Sequence, residues 1–238
     1  MNSGVISGIR AVTLDVGGTL LEPFPGVGVS YATALRRRGL TADEAEIEKR
    51  FRIAFRQVQT ERAAQMDESM ARLAWREIVE QSISPWCPPE KVGEVFEELW
   101  EAFAQPDNWR PLRGVQNDLE LLHQLGSVPM YVFSNWDSRL RRVLQALKWE
   151  KYFQGIFISS ELGAAKPSRD AFARVQKILG LPAGAILHVG DSLEQDYEGA
   201  LAAGWQAVLA YPKPAEAASC RSIQALNELP QYAPFGRT

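Results

Sequence analysis

The chain has 238 residues, enough for a full α/β core and a second, smaller unit. A hydrophobic share of 46% with 23% charged residues is ordinary for a soluble globular protein, and a net charge of -3 offers no footprint for nucleic acid. No apolar run reaches the ~20 residues of a membrane span, and residues 1–10 lack the basic and apolar regions of a leader peptide.

In chain order, the first strand is expected over Ile9–Asp15, rich in β-branched residues and stopped by Gly17-Gly18. Residues 26 to 105 then read as helix after helix with no convincing strand, broken by Pro85, Pro88 and Pro89. Asp43 is placed to cap a helix running to Arg62, whose apolar stripe includes Ile47, Phe51, Phe55 and Val58. Trp75, Trp86, Trp100 and Trp109, counted with this region, are expected as packing anchors. Gly26 and Gly28 stand at its entry as hinge or turn glycines. Arg36-Arg37-Arg38 before Gly39 reads as a solvated helix end, and Arg52 and Arg56 as an exposed face pairing with Glu48.

Further strands are expected at Val128–Phe133, Gly155–Ser159, Ala185–Val189 and Gln206–Ala210. Helices are expected at Val115–Leu125, Ser138–Leu147, Asp170–Leu179 and Leu193–Ala203. The tail should hold one short helix, Ser222–Leu229, and a frayed end. Strands alternating with helices predict a doubly wound, Rossmann-like parallel sheet, with the first strand central. The expected division is a core of residues 1–22 and 106–238 and an inserted all-helical unit of 23–105. Cys87 and Cys220 form no spaced framework and read as free thiols of a reducing cytoplasm. Nothing in the sequence signals an oligomeric state.

Ligands of an open parallel sheet bind at the carboxyl ends of its strands. Asp15 ends the first strand, followed by Gly17-Gly18-Thr19; Ser134 and Asn135 end the second; Lys166 follows the third, and Asp191 and Asp196 the fourth. Carboxylates gathered at one edge repel unless a cation joins them, and oxygen ligands at that density suit Mg²⁺. With a lysine and a glycine-rich loop they would neutralise a phosphoryl group, which Asp15 could attack. His188 lies inside a strand and His123 on a helix, so no Ser–His–Asp arrangement is expected.

Asp15-Val16-Gly17-Gly18-Thr19-Leu20, Ser134-Asn135, Lys166-Pro167 and Gly190-Asp191-Ser192 with Asp196 resemble, in order, the four motifs of the haloacid dehalogenase superfamily. The resemblance covers nearly the whole chain. It implies that Asp15 is the nucleophile and a Mg²⁺ ligand, together with the Gly17 carbonyl and Asp191, and that Asp196 supports the metal shell. Ser134, the Asn135 amide and the Gly18-Thr19 loop would hold the phosphoryl group of a small phosphorylated substrate, and Lys166 would tie Asp15 to its charge. The helical insertion resembles the family's small helical cap. The stretch 134–139 and Ala165-Lys166-Pro167 most resemble a little-characterised branch with eukaryotic members.

One position departs from the pattern. The family's phosphatases carry a second Asp, the general acid/base, two residues after the nucleophile, and here that residue is Gly17. General acid–base catalysis contributes about 10²–10⁴-fold. Three readings follow: a leaving group that needs little protonation, such as an aryl or acyl phosphate, or a substitute acid such as Glu22; a different reaction; or ligand binding without turnover. The family's dehalogenases carry Tyr at this position. Its phosphonate hydrolases carry Ala and use a cap lysine, for which Lys49 and Lys91 are candidates but read as solvated. Metal-free dehalogenation is disfavoured by the negative charge of Asp191 and Asp196 near the nucleophile.

Overall fold

The computed structural model describes residues 6–62 and 67–236, side chains excepted at 59–62. Residues 1–5 of the stretch read for a leader, and 237–238 of the expected frayed end, lie outside the described residues. Strand β1, Ala11–Leu14, is buried at every position, as a central strand covered on both faces must be. A short strand β2, Leu21–Pro23, leads into α1 (Val27–Arg36), α2 (Glu44–Arg62), α3 (Glu68–Ile83) and α4 (Pro89–Ala102).

Three of these helices, α2 to α4, begin where the chain supplies a cap or a proline. Asp43 accepts from the Glu46 amide at 2.9 Å, Asp67 accepts from Met70 at 2.8 Å, and α4 opens on Pro89. Their apolar faces meet around Leu35, Ile47, Val79 and Phe96, a cluster separate from that of the sheet. Gly28 is no hinge: a Cβ there would sit 2.2 Å from the Glu44 carbonyl, so glycine lets α1 approach the start of α2.

The chain returns through β3, Trp109–Pro111, which pairs antiparallel with β2. It continues as α5 (Val115–Leu125), β4 (Met130–Ser134), α6 (Arg139–Ala146), β5 (Gly155–Ile158), α7 (Ser159–Leu162), α8 (Arg169–Leu179) and β6 (Ile186–Gly190). A π-helical turn, Leu193–Glu198, precedes α9 (Gly199–Ala202), β7 (Gln206–Ala210), α10 (Pro214–Ala217) and β8 (Ser222–Ile223). The six strands lie in the order β5-β4-β1-β6-β7-β8, all parallel. Chain order runs one way from β1 through β4 to β5 and the other way through β6 to β8. The crevice beyond the ends of β4, β1 and β6 is therefore the switch point, where such sheets bind ligands.

Three expectations are corrected. Ser222–Ile223 is not helical, because Leu209 and Ala210 of β7 offer it a strand edge; a 3₁₀ stretch, Leu226–Gln231, follows. The tail is not frayed up to Gly236, since Tyr232, Ala233 and Phe235 are buried against the core. The single helix expected over Leu193–Ala203 is split into the π turn and α9. Among the described residues no helix is long and apolar enough to cross a membrane.

Candidate active site

The end of β1 sets the first side chain. The Asp15 amide donates to Val189 of β6 at 2.8 Å, which fixes the residue where the sheet stops. Beyond it the chain closes a tight turn in which the amides of Thr19, Leu20 and Leu21 all reach the Val16 carbonyl. Gly17 stays outside that ladder of acceptors. Gly18 has φ 79°, and a Cβ on it would lie 2.4 Å from an Asp191 carboxylate oxygen, so the loop can pass Asp191 only as glycine. Its amide is spent on the Leu21 carbonyl at 2.9 Å. Thr19 is fully buried and donates to Asp191 at 3.2 Å. The phosphate-holding roles expected of Gly18 and Thr19 are thus replaced by positioning of Asp191.

Lys166 is 1% exposed, and its Nζ sits among Asp15 Oδ1 (2.9 Å), Asp196 Oδ1 (2.5 Å), the Phe133 carbonyl (2.9 Å) and His188 Nε2 (3.2 Å). Burial opposes its charge, but Asp15 and Asp196 outweigh that and raise its pKa. Asp196 is desolvated too, yet Lys166 and His188 hold its carboxyl well below the usual carboxylate range. Burial pushes the Asp15 carboxyl up, against the pull of Lys166. His188, expected only as a hydrogen-bonded core residue, is that and also the backing of this cluster. Its Nδ1 lies 2.8 Å from the Thr13 hydroxyl, and desolvation followed by the Lys166 charge lowers its pKa to about 4, which keeps the ring neutral.

Asp191 stands on the other side of Asp15. It is open to the cavity but ringed closely by protein; that desolvation, then the charges of Asp15 and Asp196, push its carboxyl up to about 7. Oxygens of Asp15, Asp191 and Asp196 all lie within 4.8 Å of one another. Lys166 serves Asp15 and Asp196, and among the described residues no lysine or arginine pairs with Asp191. Both Asp196 oxygens are already engaged, Oδ1 by Lys166 and His188 and Oδ2 by the Ser192 amide at 3.0 Å. The carboxylates left open to a hard cation are therefore Asp15 and Asp191, with Asp196 behind them.

Ser134 ends β4, is 2% exposed and lines the cavity beside Asp15. The side chain of Asn135 is occupied: its Oδ1 accepts from the Lys166 amide and its Nδ2 donates to the Lys166 carbonyl, each at 2.8 Å. Only the Asn135 backbone N–H is left to meet a ligand. The clamp ties the end of β4 to the loop carrying Lys166, a role that sequence reasoning missed.

These groups open into a cavity of about 640 Å³ between the sheet edge and the helices α1–α4. Trp75, Trp100 and Trp109 line it, so the packing role expected of them is joined by a cavity-facing one. Trp86 packs within the helical cluster, as anticipated. Trp136, from the loop after β4, packs tilted against Trp109 with ring centroids 4.6 Å apart and is the nearest neighbour of a Cβ built on Gly17, at 3.8 Å. Arg52 reaches the cavity while pairing with Glu48 at 3.1 Å. Glu22 does not substitute for the missing acid: it turns to Arg110 across the β2–β3 ribbon, at 2.6 Å. Lys49 is exposed beside Glu46, and neither it nor Lys91 lines the cavity.

A parallel sheet with an Asp–Lys pair at its switch point and helices inserted after the first strand defines one class of hydrolase. The sequence matches the haloacid dehalogenase-like hydrolases over residues 9–204, and the chain belongs to that family. It is similar to haloacid dehalogenase-like hydrolase domain-containing protein 3 of Bos taurus, 28% identical over 230 residues that cover 94% of this chain and 91% of that protein. Among solved structures it resembles the defluorinating L-2-haloacid dehalogenase Rha0230 (TM-score 0.76, 20% identity, 93% of each chain). It also resembles Bacillus subtilis YfnB bound to magnesium (0.66, 18%, 93% of this chain and 97% of that one). A third likeness is to a protein described as a predicted phosphoglycolate phosphatase from Haemophilus somnus (0.66, 19%, 94% and 97%). At such identities the structural likenesses carry the fold, and they include both dehalogenases and phosphatases.

Proposed function

We propose that the protein is a magnesium-dependent phosphohydrolase of a small phosphorylated substrate, with Asp15 as its nucleophile. The observation that carries this reading is the charge imbalance of the site. Three carboxylates lie within 4.8 Å of one another, and the buried Lys166 serves only two of them. A divalent cation at Asp15, Asp191 and the Gly17 carbonyl offsets the excess and suits the all-oxygen donor set. When bound, it supplies positive charge to the phosphoryl oxygens. Carbon–halogen cleavage would also use Asp15, but the unpaired Asp191 beside the nucleophile works against a metal-free site.

The chain's own residues do the rest. Lys166 holds the Asp15 carboxylate at the cavity floor and offsets its charge. The Ser134 hydroxyl and the Asn135 N–H receive phosphoryl oxygens. An Asp15 oxygen bonds to phosphorus as the bond to the leaving oxygen breaks, and the electron pair departs with that oxygen. Water then attacks the phosphorus, which frees Asp15 and inorganic phosphate. Gly17 supplies no proton in either half.

Residues 23–105 act in this reading as a cap over a core of 1–22 and 106–238. Contacts across the cavity support it: Glu68 of α3 accepts from the Ser138 amide (2.7 Å) and the Ser160 hydroxyl (2.6 Å), and Arg142 pairs with Glu101. The free thiols Cys87 and Cys220 suit a cytoplasmic setting.

The test is turnover of p-nitrophenyl phosphate, whose leaving group needs no general acid, with and without Mg²⁺, in wild type and Asp15→Asn. Turnover that requires both the metal and Asp15 is expected. No turnover above the folded variant would overturn the reading in favour of a binding protein.

A further inference from the structure

We infer that the substrate is an aryl phosphate whose uncharged aromatic group, larger than one ring, seats in the chamber beneath α1–α4. This rests on the phosphohydrolase reading and adds the class of leaving group. Three independent features of the cavity carry it.

The first is the wall that the helices present. Phe51, Phe55, Trp75 and Trp100 face the chamber from the helical side, and Trp109 and Trp136 close it next to Gly17. Phe51 stacks on Trp75 at 6.4 Å and on Phe55 at 5.5 Å, so the surface is a run of ring faces and edges. Aromatic ligands match such surfaces through offset and edge-to-face contacts. The hydroxyls of a sugar or polyol would leave water there and find few partners, which makes their burial unfavourable.

The second is that the buried cation of the wall is spent. Arg139 makes a bidentate pair with Asp137, both contacts 2.7 Å, donates to the Trp100 carbonyl, and sits over the Trp100 ring with Cζ 3.5 Å from its centroid. Arg52, at the exposed rim, gives its Nε to Glu48 at 3.1 Å. Arg139, the buried cation of the wall, is thus not left to receive a second anionic group, which disfavours a carboxylate or phosphate deep in the chamber. The volume of about 640 Å³ is several times the ~150 Å³ that suffices for benzene. A single ring would leave most of the chamber empty.

The third is the absent acid. With Gly17 in place of a proton donor, the leaving oxygen departs as an anion. An alkoxide is about as basic as hydroxide, the conjugate base of a group with pKa ~15.7. A phenoxide is the conjugate base of a group near ~10, as in tyrosine. The Tyr31 phenol lines the chamber, but burial drives its pKa upward and makes it a poor donor. An aryl leaving group removes the need that Gly17 cannot meet. The reaction balances as aryl phosphate plus water giving the phenol and inorganic phosphate, the aryloxide taking its proton from solvent.

The experiment compares kcat/KM for 2-naphthyl phosphate, phenyl phosphate and glycerol 3-phosphate, beside calorimetric binding of 2-naphthol to wild type, Phe55→Ser and Trp136→Leu. Naphthol and phenol leave with nearly equal ease, so their ratio reads chamber contact and not bond breaking. The naphthyl ester should exceed the phenyl ester by about tenfold or more, the worth of the added apolar contact. Naphthol should bind saturably to wild type and to Asp15→Asn, and about tenfold more weakly to Phe55→Ser. If Trp136→Leu fails to fold, Phe55→Ser alone carries the comparison. Equal rates for both aryl esters, or glycerol 3-phosphate as the better substrate, would overturn the inference with the phosphohydrolase reading intact. Loss of all ester turnover, scored by p-nitrophenyl phosphate, would overturn both.

Discussion

The sheet edge and the helical wall meet across one cavity but are built on opposite terms. At the sheet edge nearly every polar atom has a partner: Lys166 has four, both Asp196 oxygens are bonded, and the side chain of Asn135 is fully engaged. Glycines at 18 and 190 are held there by approaches of 2.4 and 2.2 Å that no side chain could survive. The helical wall is aromatic, its residues presenting surface more than hydrogen bonds. A polar cluster in low dielectric works only when complete, so it tolerates little change; an apolar wall needs only volume and shape. In the proposed reading, chemistry resides in the sheet, and selection among substrates in the helices.

Four measurements would break or sharpen that division. The largest effect should come from Lys166→Met, which leaves Asp15 and Asp196 buried without their cation. A loss of about 3–5 kcal/mol in urea unfolding is expected, with turnover of p-nitrophenyl phosphate down about 10³-fold. A variant as stable as wild type would mean that the sheet edge is not the interdependent unit described. Next, Gly17→Asp should fold normally, because φ is ordinary there and the nearest atom to a new Cβ is 3.8 Å away. It should raise turnover of alkyl phosphates by about 10²-fold and of aryl phosphates far less. Equal gains on both would mean that the missing acid does not limit the reaction.

The third measurement is of pH, in chelator. In the folded state Asp191 keeps its proton up to about 7, against 3.8 for an ordinary aspartate. Between those values the folded protein binds more protons than the unfolded one, so this group costs stability as pH rises. Asp191→Asn should therefore gain in melting temperature over wild type progressively from about pH 4 to 7 and then level off. His188, held down to about 4 against 6.5, acts in the opposite direction but is common to both proteins and cancels in the difference. An advantage that does not change between pH 5 and pH 8 would remove Asp191 from the crowded cluster. The smallest effect is expected of Glu68→Gln, which weakens the bonds from Ser138 and Ser160 to α3 and should cost about 1 kcal/mol with a few-fold rise in KM. An unchanged KM would mean that this contact does not hold the helices over the site.

The sheet and the residues at its ends were legible because both rest on local pattern. Buried parallel strands such as Gln206–Ala210 are continuous apolar runs, and the polar residues that stop them lie next in the chain. What was missed depends on partners far away in sequence. β2 and β3 are three residues each and exist only because they meet, and β8 exists because β7 leaves an edge. The inward turn of Thr19 and the clamp of Asn135 on Lys166 are contacts across 172 and 31 residues, invisible to spacing. His188 could have been suspected, since a strand-end histidine two residues before Gly190-Asp191 must point to one face or the other of the crowded edge. The chamber had a partial signal in the tryptophans and in the Phe51–Phe55 spacing, but which faces turn inward is settled by how four helices pack.

Position 17 has a consequence beyond mutagenesis. Its torsions are those any residue can adopt, and the neighbourhood of its absent side chain is open to the cavity. A small soluble acid can therefore occupy the place of the missing carboxyl, so that formic or acetic acid, in its protonated form, acts as a diffusible proton donor. Hydrolysis of an alkyl ester should then rise and saturate with formate concentration in wild type and not in Gly17→Asp, making the buffer a component of the catalyst.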